Sequence, residues 1–142
     1  IKTIKQNASI PVLANVDITS AERAKAVLDY TGADGVMFGR AAQGRPWIFR
    51  EIRHYLETGQ HLAEPDLREV RQILVDHLLE LHEFYGEYLG VRIARKHVGW
   101  YLQAHDHSKD VRRQFNQLET PEEQLTLINS YFEQQLGKDL AA

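Results

Sequence analysis

The chain has 142 residues, 43% of them hydrophobic and 26% charged, with a formal net charge of −3. It is long enough to bury a core in one or two small domains, and it contains no eighteen-residue apolar run of the kind that spans a membrane. The absence of cysteine excludes a disulfide, a thiolate nucleophile and any cysteine-ligated metal site, and fits a reducing, cytoplasmic setting.

The first residues, with Ile1 and Ile4 before Ser9, read as the tail of a helix. Ile10-Pro11-Val12-Leu13-Ala14 is a short apolar run without polar alternation, the pattern of a buried strand, and Gly35-Val36-Met37-Phe38 is a second. Between them Thr19-Ser20-Ala21-Glu22 has capping-box spacing, predicting a helix with Thr19 as N-cap that presents Ala24, Val27 and Leu28 and stops near Gly32. Arg40-Ala41-Ala42 allows one short helical turn. Pro46 suits the first turn of the next helix, which carries Trp47, Ile48, Ile52, Tyr55 and Leu56 and ends at Gly59. Strand, helix, strand, helix in about 50 residues is the rhythm of a parallel α/β sheet.

The stretch from Gln60 to Pro65 is polar and aperiodic, so the domain boundary is placed there: 1–59 as α/β, 60–142 as all-α. Asp66 caps a helix whose stripe is Leu67, Val70, Ile73, Leu74, Leu78 and Leu81, running to Gly86. Further helices are expected from Tyr88 to His105, after Ser108, and from Thr120-Pro121-Glu122-Glu123. Four helices with short connections predict an antiparallel bundle. A two-strand sheet cannot close a barrel, so the expectation is the C-terminal part of a longer protein.

Ligands of parallel α/β sheets bind beyond the carboxyl ends of the strands, where Asn15-Val16-Asp17 and Gly39-Arg40 fall. A glycine lets the backbone approach an anion, and Arg40 can add a bidentate contact. The alternative is a plain turn with Arg40 paired to a carboxylate. Residues 1–58 hold 8 Lys/Arg against 6 Asp/Glu, and residues 59–142 hold 9 against 14. Inside that acidic half, residues 88–118 concentrate Arg92, Arg95, Lys96, Lys109, Arg112 and Arg113 against Asp106 and Asp110. At 100° per residue Arg92, Arg95, Lys96, Gly99 and Gln103 share one arc of a helix, either a solvated face or a phosphate-binding one.

The histidines do not suggest a metal. His77 and His82 are turned about 140° apart on a helix. His105-Asp106-His107 reads as a capping turn, and His97 as a core residue with a hydrogen-bond partner. Trp47 and Trp100 read as packing anchors.

Three segments, IPVLANVDIT, GADGVMFGRAAQGRPWIFREI and RIARKHVGWYL, resemble in order and spacing the end of a bacterial tRNA-dihydrouridine synthase of the B type, and the resemblance covers nearly the whole chain. It implies the C-terminal portion of a (β/α)8 TIM barrel, from strand seven onward, followed by a helical domain that holds tRNA. It further implies FMN as cofactor, NADPH as hydride donor, and reduction of the C5–C6 bond of particular uridines. By the same resemblance Asn15, Val16, Asp17, Gly39 and Arg40 contact the flavin phosphate, and Arg92, Arg95 and Lys96 contact tRNA. The family has glycine where this chain has Val16, so weakened FMN binding is expected. The family's proton donor is a cysteine on an earlier barrel loop; this segment lacks it and is expected to be inactive alone. Two rival readings are a non-enzymatic helical interaction module and another FMN barrel oxidoreductase. Nothing in the pattern sets an oligomeric state, and a monomer is the expectation.

Overall fold

The computed structural model describes residues 1–103 and 108–139, which form two compact units, Ile1–Ala63 and Glu64–Ala142. The first is built as α1 (Lys2–Asn7), β1 (Leu13–Asn15), α2 (Ala21–Thr31), β2 (Gly35–Met37), a 3-10 turn (Arg40–Ala42) and α3 (Ile48–Thr58). The two strands pair in parallel, with Leu13 opposite Gly35, Ala14 opposite Val36 and Asn15 opposite Met37. Their entry is fixed by Asp34. Its backbone N–H donates to the Val12 carbonyl at 2.9 Å, and its carboxylate accepts from Val12 N–H at 2.7 Å and from Lys5 Nζ of α1 at 2.6 Å.

The strands differ from the sequence reading in one respect. Ile10 lies outside the ladder and is 70% exposed, and within β1 Leu13 is 62% exposed while Ala14 is fully buried. The reason is one-sided packing: α2 and α3 cover only the face carrying Ala14 and Val36, so side chains alternate in and out as on any half-covered sheet. The core is Ala14, Ile18, Ala21, Ala24, Val27, Ile48 and Ile52.

Two helix starts also differ. The N-cap of α2 is Ser20, whose hydroxyl accepts from Arg23 N–H at 3.2 Å, one residue later than Thr19. Ile18 is buried and tied by its N–H to the Val16 carbonyl, and burial of Ala21 and Ala24 sets the helix phase. Pro46 precedes α3, within a turn closed by Ile48 N–H on the Arg45 carbonyl; Trp47 takes the capping position. The α2 and α3 helices end at Gly32 and Gly59 as read.

The second unit contains α4 (Leu67–Leu102), α5 (Lys109–Phe115) and α6 (Pro121–Asp139). The long α4 is broken at Gly86, where φ is 75° and ψ 169°, a conformation open to glycine and strained for other residues. The chain turns back there. A Cβ on Gly90 would lie 2.9 Å from His82 Cα, and His77 Nδ1 lies 3.2 Å from the Tyr101 hydroxyl, so arms 67–85 and 87–102 run side by side in opposite directions. The α6 helix runs opposite to the first arm, since Arg71 bonds Asn129 and Glu133 whereas His82 bonds Gln124.

Asp66 caps α4 through Glu69 N–H at 2.9 Å. At α6 the box closes in both directions: Thr120 Oγ1 accepts from Glu123 N–H, and the Glu123 carboxylate accepts from Thr120 N–H and Glu119 N–H. Leu74, Leu78, Val91, Ala94, Val98, Leu102, Phe115, Ile128 and Phe132 fill the interior. The segment His105-Asp106-His107 lies outside the described residues. Among those described, no helix is long and apolar enough to cross a membrane.

Candidate functional site

Parallel pairing brings the trailing turns of β1 and β2 to the same end of the sheet. Asn15, Val16 and Asp17 from one turn, and Gly39 and Arg40 from the other, line a single cavity of about 260 Å³, walled also by Met37 and Phe38. All five residues singled out in the sequence meet here. Asp17 and Arg40 form an ion pair across it, both well exposed. The guanidinium carries five N–H donors, so this pairing leaves it able to bind a further acceptor.

Gly39 has a φ of −118°, and a Cβ there would meet nothing within 4 Å. Neither backbone strain nor packing within the chain calls for glycine, so its effect is to leave the cavity wall open. Val16 is half-buried against the core, and its carbonyl accepts from Ile18 N–H at 2.8 Å, closing a tight turn. Arg45 pairs with the nearly buried Glu51, and Phe38 stacks on Phe49 at 4.6 Å.

The helical unit carries a second concavity, of about 170 Å³, between the second arm of α4 and α5. Arg95 and Lys96 line it, with Gly99 and Trp100 between them. Arg112 of α5 and Asn116, the residue that ends that helix, close it from the other side. Arg95 Nη2 donates to the Leu118 carbonyl at 2.9 Å, while its Nε is buried without a partner. Lys96 Nζ stands 5.3 Å from the Trp100 ring centre. Arg92 is placed differently: its guanidinium lies 3.6 Å over the Tyr88 ring and donates to the Tyr88 carbonyl, outside this cleft.

The model of the dihydrouridine synthase (Dus) family matches residues 1–136. The chain belongs to that family. It is 59% identical over 134 residues to tRNA-dihydrouridine synthase B of Shewanella oneidensis, covering 94% of this chain and 41% of that protein. The corresponding protein of Proteus vulgaris is 58% identical over 138 residues, covering 97% and 43%. That of Pseudomonas putida is 59% identical over 132 residues, covering 93% and 39%. The chain thus spans about two fifths of the length of these curated relatives.

The helical wheel placed Arg92, Arg95, Lys96, Gly99 and Gln103 on one arc; all but Arg92 line the cleft, and the wall opposite lay outside its reach. Arg112 stood only in the count of cations within residues 88–118, and Asn116 carried no signal, because a wheel describes one helix and says nothing of what packs against it. A third cluster was also outside its reach. The His77 ring stands 4.8 Å from that of His97 and 5.9 Å from that of Tyr101; burial lowers both imidazoles below their ordinary value and pushes the Tyr101 phenol up to about 12. Among the described residues no three His, Asp or Glu side chains converge as metal ligands.

Proposed function

We propose that this chain forms the closing part of an FMN-binding (β/α)8 barrel and the tRNA-holding helical domain of a tRNA-dihydrouridine synthase. The whole protein reduces the C5–C6 bond of particular uridines at the expense of NADPH. The observation that carries the reading is the convergence of Asn15-Val16-Asp17 and Gly39-Arg40 on one cavity at the carboxyl end of two parallel strands. The family match over residues 1–136 supports it.

The residues present fit a flavin phosphate. Gly39 leaves an opening that a side chain would fill, and Arg40 presents unspent guanidinium donors beside it. Asp17 balances the charge of Arg40 and orients it, so binding rests on directed hydrogen bonds rather than on bulk positive charge. FMN held here, once reduced by NADPH, would supply the hydride that adds to the uracil ring. By the family resemblance the proton for the other carbon comes from a cysteine on an earlier barrel loop, a residue type this chain lacks. Arg92, Arg95 and Lys96 hold the RNA backbone, which keeps the extruded uridine from returning to its stack during the reaction.

Flavin binding by the purified protein tests this. Losing a charge-assisted contact of about 1.5–3 kcal/mol lowers affinity roughly ten- to a hundredfold, so Arg40→Ala is expected to shed its flavin absorbance on dialysis. Retention of flavin at the wild-type dissociation constant would overturn the assignment of this cavity.

A further inference from the structure

The cleft between the second arm of α4 and α5 departs from an ordinary solvated basic face in three ways. Three cations, Arg95, Lys96 and Arg112, come from two different helices onto one concavity. Among the described residues no carboxylate pairs with any of them. Arg95 is fixed rather than mobile: the Leu118 carbonyl holds one end of its guanidinium, and its buried Nε keeps an unsatisfied donor. A partly desolvated cation without a counter-charge produces a strong positive potential in the space it faces.

The floor of the cleft is Gly99. A Cβ there would lie 3.7 Å from Arg112 Nη2 and touch nothing else outside its own helix. The fold therefore accepts alanine at this position, and the glycine keeps the space in front of Arg112 empty. At about 170 Å³ the cleft has room for a phosphate group. Gln103 and Asn116 line the same cleft with neutral amides able to donate to a phosphate oxygen or a ribose hydroxyl.

Resting on the tRNA-binding reading above, we infer that this cleft is a seat for a single backbone phosphodiester of folded RNA. Arg112 of α5 faces Arg95 and Lys96 across it, and Gly99 admits the phosphate to its floor. The contact reads no base, so it sets the register of the RNA on the protein and leaves sequence to other contacts.

The test is tRNA binding by the purified protein across a salt series. Arg112→Ala is expected to weaken binding about tenfold and to reduce the slope of log K against log salt by about one, the signature of one lost phosphate contact. Gly99→Ala is expected to weaken binding severalfold while the thermal midpoint holds or rises, since alanine is the better helix former. Arg68→Ala removes one charge from the same unit without lining the cleft and is expected to leave the slope unchanged. If wild type binds tRNA and Arg112→Ala matches Arg68→Ala in affinity and slope, the cleft assignment falls while the tRNA reading stands. If wild type does not bind tRNA, the tRNA reading itself falls. Inorganic phosphate at matched ionic strength is expected not to compete. Displacement of tRNA by it from wild type but not from Arg112→Ala would make the cleft a free-phosphate site and overturn the RNA assignment.

Discussion

Gln124 is the polar centre of the helical unit. Fully buried on α6, it donates from Nε2 to the Val91 carbonyl at 2.9 Å, and its Oε1 lies 2.8 Å from His82 Nε2. A carbonyl can only accept, so the amide orientation is determined, and His82 must carry its proton on Nε2. One side chain thereby ties α6 to both arms of α4. Gln124→Leu keeps approximate volume but strands the His82 N–H in a site already holding one unpartnered nitrogen, Nδ1. Leaving one buried donor unsatisfied costs about 1–3 kcal/mol, so a loss of about 2 kcal/mol is expected. With a urea slope of about 1–3 kcal/mol per molar, the midpoint falls by roughly 1 M. His82→Leu alone strands only the Gln124 oxygen and is expected to cost about 1 kcal/mol. The double variant removes both partners and replaces them with apolar groups, which is nearly neutral, so the two changes should couple by about 1–3 kcal/mol. Urea unfolding followed by far-ultraviolet circular dichroism measures all four species. Simple addition of the two costs in the double variant would refute the network.

Replacing the half-buried Val16 by glycine is expected to cost about 1–2 kcal/mol in lost packing and added chain entropy, yet to tighten FMN by opening the turn, as fluorescence titration would show; an unchanged flavin dissociation constant removes the idea. His77 and His97 both have imidazole values lowered by burial, so the unfolded chain takes up protons first as pH falls. Stability is therefore complete above the ordinary value of about 6.5 and declines below it until the lowered native values are passed. Thermal midpoints measured between pH 8 and 5 should drop in wild type and drop less in His77→Gln. An equal drop in both would show that this pair does not carry the effect.

The parts of this structure legible in the sequence are those set by neighbours along the chain. Asp66 and Thr120 cap helices because a hydroxyl or carboxylate three residues before a free N–H needs nothing else to act. The break at Gly86 separates two helical stripes as the pattern implied. The parallel strands and their shared end were readable from rhythm alone. What escaped depended on partners far away. Whether Thr19 or Ser20 caps α2 is decided by burial of Ile18 and Ala21, and the exposure of Ile10 and Leu13 by which face the helices cover. His82 and Gln124 are 42 residues apart, and Arg112 meets Gly99 only because α5 folds across the second arm of α4.

The two candidate sites share a design that clarifies why glycine stands where it does. At Gly39 the backbone angles are open to any residue and the space beside the α-carbon is empty. Gly99 lies inside a helix, where glycine costs about 1 kcal/mol relative to alanine, and a Cβ there would meet, outside its own helix and among the described residues, only the guanidinium of Arg112. Gly90 is the contrast, because a side chain there would collide with the backbone of the facing arm. A glycine that packing demands serves the fold, whereas one that costs stability and borders vacant space beside an arginine serves whatever fills that space. The net negative charge of the helical unit does not argue against such a site. A few cations drawn from different helices, and without a carboxylate partner among the described residues, outweigh at short range acidic residues dispersed over the rest of the surface.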